Sequence, residues 1–171
     1  QLKKQGIDAT ICVVCGRNEK LCDELNNKNW DEATAKTNKK KKRKRKLIRG
    51  FFRSKRIQKA LDQAEMTDDQ QNHEPGDVNV VGLGFVTRMA EYMVAADVLV
   101  SKAGPGTIAE AAAVGLPVMI TSFLPGQEAG NVNIVLDGGF GDFCVDPDDI
   151  GKEVSCWLND DELMEEMSLK S

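Results

Sequence analysis

Apolar residues along this chain fall into short runs separated by polar, glycine-bearing turns. Residues 7–15 (IDATICVVC) are β-branched and apolar, and stop at Gly16. Such a run predicts a buried parallel strand that ends in a tight turn. Glu19 to Leu25 predicts a short helix, and Val78 to Phe85 (VNVVGLGF) a second strand. Met89, Tyr92, Met93 and Ala96 recur at helical spacing, so Thr87 to Ala96 is expected to be helical. Val98-Leu99-Val100 reads as another brief buried strand. After Gly104-Pro105-Gly106 an alanine-rich helix is expected to start at Thr107 and end at Gly115. Leu116 to Ser122 predicts a strand, Asn131 to Asp137 a helix, and Gly138 to Val145 a turn and short strand. Ile150 to Leu158 and Asp161 to Ser168 read as closing helices, with Asp146, Asp148 and Asp149 around Pro147 marking a helix start.

Strand and helix alternate with short connections. That order predicts an α/β fold, a doubly wound Rossmann-like parallel sheet. Ligands in such sheets bind beyond the carboxyl ends of the strands, which singles out the loops after Phe85, Val100 and Ser122. The pattern is interrupted once. From residue 26 to 77 the apolar periodicity is lost among Lys, Asn, Gln and Asp, and a disordered insertion is expected there. It would divide the domain into a start over 1–25 and a remainder over 78–171.

Charge sharpens this division. The formal net charge is −4, yet residues 36–59 hold 14 of the 23 basic residues and no acid, leaving 9 basic against 27 acidic residues elsewhere. Lys39 to Lys46 are eight consecutive cations, and Leu47, Phe51, Ile57 and Leu61 beyond them fit one side of a helix. Three readings stay open for this basic arm: a cationic amphipathic helix on anionic lipid, a solvated loop, or a nuclear-localisation or nucleic-acid patch. With an acidic body around it, no specific nucleic-acid partner is expected. No run of eighteen apolar residues is present. Gln1 in place of a starting Met raises the expectation that more sequence, including any targeting segment, lies upstream.

Five cysteines (Cys12, Cys15, Cys22, Cys144, Cys156) form an odd set. Cys12 and Cys15 have the C-x-x-C spacing of redox or metal chemistry, but no second Cys/His pair is near, and reduced structural thiols are expected. His73 is the single histidine, and its place in the insertion makes it a poor general base.

The three loops carry the candidate chemistry. Ser101-Lys102-Ala103-Gly104-Pro105-Gly106-Thr107 lies between a strand and a helix. Amides at a helix start, approached closely over Gly104 and Gly106, suit a diphosphate, with Thr107 as cap or phosphate ligand. A capped helix after a glycine turn is the plainer reading. Glu110, in the same helix, suits either the two hydroxyls of a ribose or a capping box with Thr107. Gln127-Glu128, after Pro125-Gly126, pairs an amide with a carboxylate, fit either to bracket vicinal sugar hydroxyls or to lie solvated.

Taken as an ordered set, Gly84-Phe85-Val86-Thr87, Ser101 to Ala111, Gly115-Leu116-Pro117 and Gly126-Gln127-Glu128-Ala129-Gly130-Asn131 resemble the family 28 glycosyltransferases, and within them the galactolipid-forming members. Val14-Cys15-Gly16-Arg17-Asn18 resembles the same enzymes. The resemblance covers residues 7–25 and 78–168. It implies the C-terminal, donor-binding half of a GT-B fold and an inverting transfer of galactose from UDP-galactose to diacylglycerol, at the plastid envelope. A family relative using another UDP-hexose, or a non-catalytic nucleotide-binding module, are the alternatives. The resemblance further implies that Phe85 and Val86 hold uracil. Gly104, Pro105, Gly106 and Thr107 would hold the diphosphate, Glu110 the ribose, and Gln127, Glu128 and Asn131 the sugar. The catalytic base would belong to the N-terminal half, so none is expected in these residues. No metal or other cofactor is expected, since no Asp-x-Asp cluster stands at the sugar position.

Overall fold

The computed structural model describes residues 1–30 and 74–171. The basic arm, its expected helix over Leu47 to Leu61, and His73 lie outside the described residues.

A 3-10 turn at Leu2–Gln5 leads into β1 (Ala9–Val14) and α1 (Glu19–Asn26). After the insertion come β2 (Val78–Leu83), α2 (Met89–Ala95), β3 (Leu99–Lys102) and α3 (Pro105–Ala113). The chain continues through β4 (Val118–Ser122), α4 (Ala129–Gly138), β5 (Gly141–Phe143), α5 (Pro147–Leu158) and α6 (Asp161–Lys170). Among the described residues the strands form two parallel sheets, β1-β2 and β3-β4-β5. Ala9 to Val14 pair in register with Val78 to Leu83, and Val118 to Ile120 with Gly141 to Phe143. The ladder between β3 and β4 is even except for an irregularity between Ser101 and Lys102.

Strand β4 shows why the fold is wound on both faces. Val118, Met119 and Ile120 are each fully buried, yet alternate side chains of a strand point to opposite sides. Val118 and Ile120 therefore pack with Met93 of α2, Ile108 and Ala111 of α3, and Val132 and Val135 of α4. Met119 enters a second cluster with Val154 and Trp157 of α5 and Leu163 and Met167 of α6. A strand covered on both faces needs apolar residues at successive positions, and the run Pro117-Val118-Met119-Ile120 supplies them. Gly141 on β5 is required for space, because a Cβ there would collide with the Val118 carbonyl. Gly139, at φ +76°, closes α4 with its amide donating to the Val135 and Leu136 carbonyls.

The helix starts follow from short polar caps. Asn18 accepts from the Leu21 amide, Asp146 from those of Asp148 and Asp149, and Asp160 from that of Leu163. Asp146 thus caps a helix that begins at Pro147, as the aspartates there predicted.

Two expectations need correction. The alanine-rich helix starts at Pro105, not Thr107: proline's fixed φ suits the first helical position, and Gly104 is the cap. Thr107 consequently lies inside the first turn, and a capping box between it and Glu110 does not form. The strands over residues 7–15 and 98–100 are parallel but not buried. Ile11 is 39% exposed, Val14 45% and Val100 50%. Among the described residues β1 pairs only with β2, and β3 only with β4, so each presents an edge.

Replacing Trp157 (1% exposed) by Ala should cost about 3–5 kcal/mol, since it empties the centre of the second cluster. Val94→Ala, at an exposed position, should stay within about 0.5 kcal/mol. Urea unfolding of the two variants checks the contrast; equal losses would mean that α5 does not seal that face of β4.

Candidate functional site

The site is built where β3 and β4 end. Both strands run in the same direction, so the loops that follow them emerge on one edge of the sheet. After β3 the chain turns sharply. The Gly104 amide donates to the Lys102 carbonyl at 2.8 Å, the Ala103 amide to the Ser122 carbonyl at 2.8 Å, and Ala103 is fully buried. Pro105 then opens α3, and the Ile108 amide closes the first turn on the Gly104 carbonyl at 3.0 Å.

The first-turn amides of a helix have no acceptor within the helix, and Pro105 has no N–H. Gly106 and Thr107 are left to offer donors. Gly106 is exposed, and a Cβ on it would meet nothing within 4 Å, so its surroundings are open. Gly104 is different. Its φ of −69° is ordinary for any residue, but a Cβ would fall 3.3 Å from Lys102 Nζ and 3.7 Å from Thr107 Oγ1. Glycine here keeps free the space that an ammonium and a hydroxyl border. This end of α3 is open to solvent and carries partial positive charge from the helix dipole.

The loop after β4 folds into a turn from Phe123 to Glu128. The Leu124 carbonyl accepts from the amides of Gln127 (3.2 Å) and Glu128 (2.9 Å), and Gly126 takes φ +82°, which explains the glycine. Phe123 is anchored on Phe143 with ring centroids 5.7 Å apart. Gln127 is exposed, whereas Glu128 is only 7% exposed. Glu128 accepts the Leu124 amide on Oε2 (2.8 Å) and the Lys102 ammonium on Oε1 (2.5 Å). Lys102 and the Leu124 amide hold its carboxyl below the ordinary carboxylate range, outweighing the opposing effect of burial. Asn131 adds a second tie across the loops, its side-chain amide donating to the Ala103 carbonyl at 2.9 Å.

The structure thus brings together two sets that sequence spacing left apart, Gly104 to Thr107 and Gln127 to Asn131. Glu110 is exposed on the second turn of α3. Phe85 lies in the loop after β2, 68% exposed, with the Arg17 guanidinium 5.9 Å from its ring centroid. A cavity of about 310 Å³ opens there, lined by Gly84, Phe85, Val86, Thr87, Arg88 and Tyr92. Helix α2, which begins just past this loop, packs Met89 and Met93 against α3. Arg17 and Lys102 have no part in the roles expected from sequence. Both sat inside the quoted motifs, and a cation beside a glycine-rich turn was the signal that could have marked Lys102.

None of the five cysteines is joined in a disulfide, and Cys22 donates to the Gly82 carbonyl at 3.2 Å. Among the described residues no group of three His, Cys, Asp or Glu side chains is placed to hold a metal. None of the described helices is long and apolar enough to cross a membrane.

A carboxyl held below its ordinary pKa stabilises the fold fully above the ordinary carboxylate range and loses that effect as acid carries it through the lowered value. Followed by NMR, the Leu124 amide shift should titrate with a midpoint below that of a free glutamate, about 4.3. A midpoint at or above that value would mean that Glu128 is not held by Lys102 in solution.

Residues 10–129 match the family described as "Glycosyltransferase family 28 C-terminal domain". A probable monogalactosyldiacylglycerol synthase, chloroplastic, from Glycine max is 35% identical over 86% of this chain and 19% of its own length. The corresponding synthase of Spinacia oleracea is 45% identical over 51% of this chain and 17% of its length. Monogalactosyldiacylglycerol synthase 1 of Arabidopsis thaliana is 49% identical over 44% of this chain and 14% of its length. The chain therefore spans at most about a fifth of these curated relatives. With the family match covering well over half of its residues and a wound parallel α/β fold to carry it, the chain belongs to the family 28 glycosyltransferases, as their C-terminal domain.

Proposed function

We propose that this chain is the donor-holding part of an inverting galactosyltransferase that moves galactose from UDP-galactose to the free hydroxyl of 1,2-diacylglycerol, forming monogalactosyldiacylglycerol. The observation that carries the reading is the junction of two loops. The start of α3, with Gly106 exposed, lies beside the turn that presents Gln127, and the loops are tied by Lys102–Glu128 and Asn131–Ala103. A diphosphate on one loop would thereby deliver its sugar to the other. The names of the relatives support galactose and a diacylglycerol acceptor, and their chloroplastic descriptions support the plastid envelope.

In this reading the base stacks in the cavity beside Phe85 and Val86, with Arg17 closing over the ring. Gly104, Pro105, Gly106 and Thr107 cradle the diphosphate, and Glu110 accepts from the ribose hydroxyls. Gln127 and Glu128 engage the hexose, with Asn131 bracing their loop. Inversion requires the acceptor oxygen to attack the anomeric carbon from the face opposite UDP while a base removes its proton. The base is proposed to lie outside these 171 residues. The chain's own contribution is to the leaving group: charge that accumulates on the departing diphosphate meets amides already oriented towards it, so little reorganisation is needed. Because the helix start and Lys102 supply that positive charge, the reading includes no metal and no other cofactor. The acceptor is lipid, so the basic arm at residues 36–61 is proposed to bind anionic membrane surface.

Calorimetric titration of UDP into the chain should show binding that Glu110→Ala weakens about tenfold, the worth of one hydrogen bond to a carboxylate. Absence of UDP binding would remove the donor-site reading. No galactolipid should form when the chain alone is given UDP-galactose and diacylglycerol; any synthesis would overturn the division of labour. In flotation assays, deletion of residues 36–61 should abolish binding to vesicles rich in anionic lipid, and undiminished binding would end the membrane role of that arm.

A further inference from the structure

Lys102 and Glu128 form an unequal pair. The lysine side chain is 63% exposed and the glutamate only 9%. Lys102 is therefore the member of the pair that an anion arriving from solvent can reach, while the carboxylate stays shielded. The same ammonium borders the space over Gly104, where Thr107 Oγ1 also points, next to the amides that α3 leaves open. A lysine stem is long and flexible, and its ammonium can change partners by rotating the stem.

Resting on the donor-site reading above, we propose that Lys102 is a positioning residue that exchanges partners: without ligand it holds Glu128, and a diphosphate seated at the start of α3 draws it away, releasing Glu128 Oε1 to accept hydroxyls of the sugar. Each half of the exchange has a physical cause. The diphosphate offers several anionic oxygens within a field that already favours negative charge, so it competes well for an ammonium. Glu128 then stands shielded from water with one oxygen still on the Leu124 amide and the other without its cation. A shielded carboxylate in that condition needs new donors, and sugar hydroxyls are donors. UDP alone leaves the carboxylate short of a partner, whereas UDP-galactose supplies one. The pair thus couples recognition of the diphosphate to recognition of the hexose, and the turn that presents Gln127 responds to both.

The test is a set of dissociation constants for UDP and UDP-galactose, measured by calorimetry on the full chain with folding checked by circular dichroism. Glu128→Gln frees Lys102 from the start, so UDP should bind about tenfold more tightly, while the added affinity of UDP-galactose over UDP shrinks. Lys102→Met should weaken UDP about tenfold, and Lys102→Arg should restore most of it. A lysine that serves only as a strut for the turn predicts the opposite for Glu128→Gln, unchanged or weaker UDP binding, and that result overturns the exchange while leaving the donor site intact. Failure of the wild-type chain to bind UDP overturns both. Should Glu128→Gln fail to fold, NMR of the wild-type chain decides. UDP should move the Leu124 amide resonance, and UDP-galactose should move it further; a resonance indifferent to both refutes the exchange.

Discussion

The first three residues of strand β4 have no solvent face. With Val118, Met119 and Ile120 all fully buried, its side chains must be received on one side by α2, α3 and α4 and on the other by α5 and α6. That constraint orders nearly everything downstream of it. Two of the helices that cover the strand, α3 and α4, are also the crossovers from β3 to β4 and from β4 to β5, so the three strands run parallel and the loops after β3 and β4 emerge at one edge of the sheet. Burial of this kind is also what makes the edge dependable: Met119 and Trp157, packed together on one face, hold the strand from whose end the turn of Gln127 and Glu128 departs.

The polar ties between the two loops lie where that apolar framework stops. Lys102 sits just beyond a register irregularity, and Glu128 is shielded at the start of α4. Two bonds, Lys102 to Glu128 and Asn131 to the Ala103 carbonyl, span the gap between the loops. Neither would be worth much at a fully exposed surface, where water competes for every partner. Shielding of the carboxylate makes the first one matter, and it also makes the carboxylate dependent on whichever donor faces it. A site in which one charge is open to solvent and its partner is not is suited to handing the open charge to a ligand.

The β1-β2 sheet stands in contrast. Its strands are paired in perfect register, and α1 packs on β2, where Asn26 exchanges hydrogen bonds with Gly82 through both atoms of its amide. Yet Ile11 and Val14 remain well exposed, so the contribution of this half to stability rests on hydrogen bonds and one covered face more than on a sealed core. It nonetheless brings Arg17 to Phe85, a cation over a ring from two different loops. Aromatic faces prefer such company, and the open cavity beside Phe85 takes its charged wall from Arg88 and Glu91.

Much of this was legible in the residue order alone. Short continuous apolar runs, alternating with stretches of helical spacing, marked the element order and the parallel winding, because a strand covered on both faces demands successive apolar residues and a helix covered on one side demands them every three or four. Asp146 before Pro147 announced its helix for a local reason, a side-chain oxygen two residues from unpaired amides. The glycine-proline-glycine stretch and the Gln127-Glu128 pair were visible as candidates for the same cause, their unusual local chemistry. What required three dimensions was everything decided by distant residues. The turn before α3 is tied across the sheet by the Ala103 amide on the Ser122 carbonyl, a partner that only the pairing of β3 with β4 provides. Burial of Ile11, Val14 and Val100 depends on which edges are covered, and no local pattern records that. Above all, the meeting of Lys102 with Glu128, 26 residues apart, follows from β3 and β4 lying side by side, and it is this contact that joins two separate loops into one candidate site.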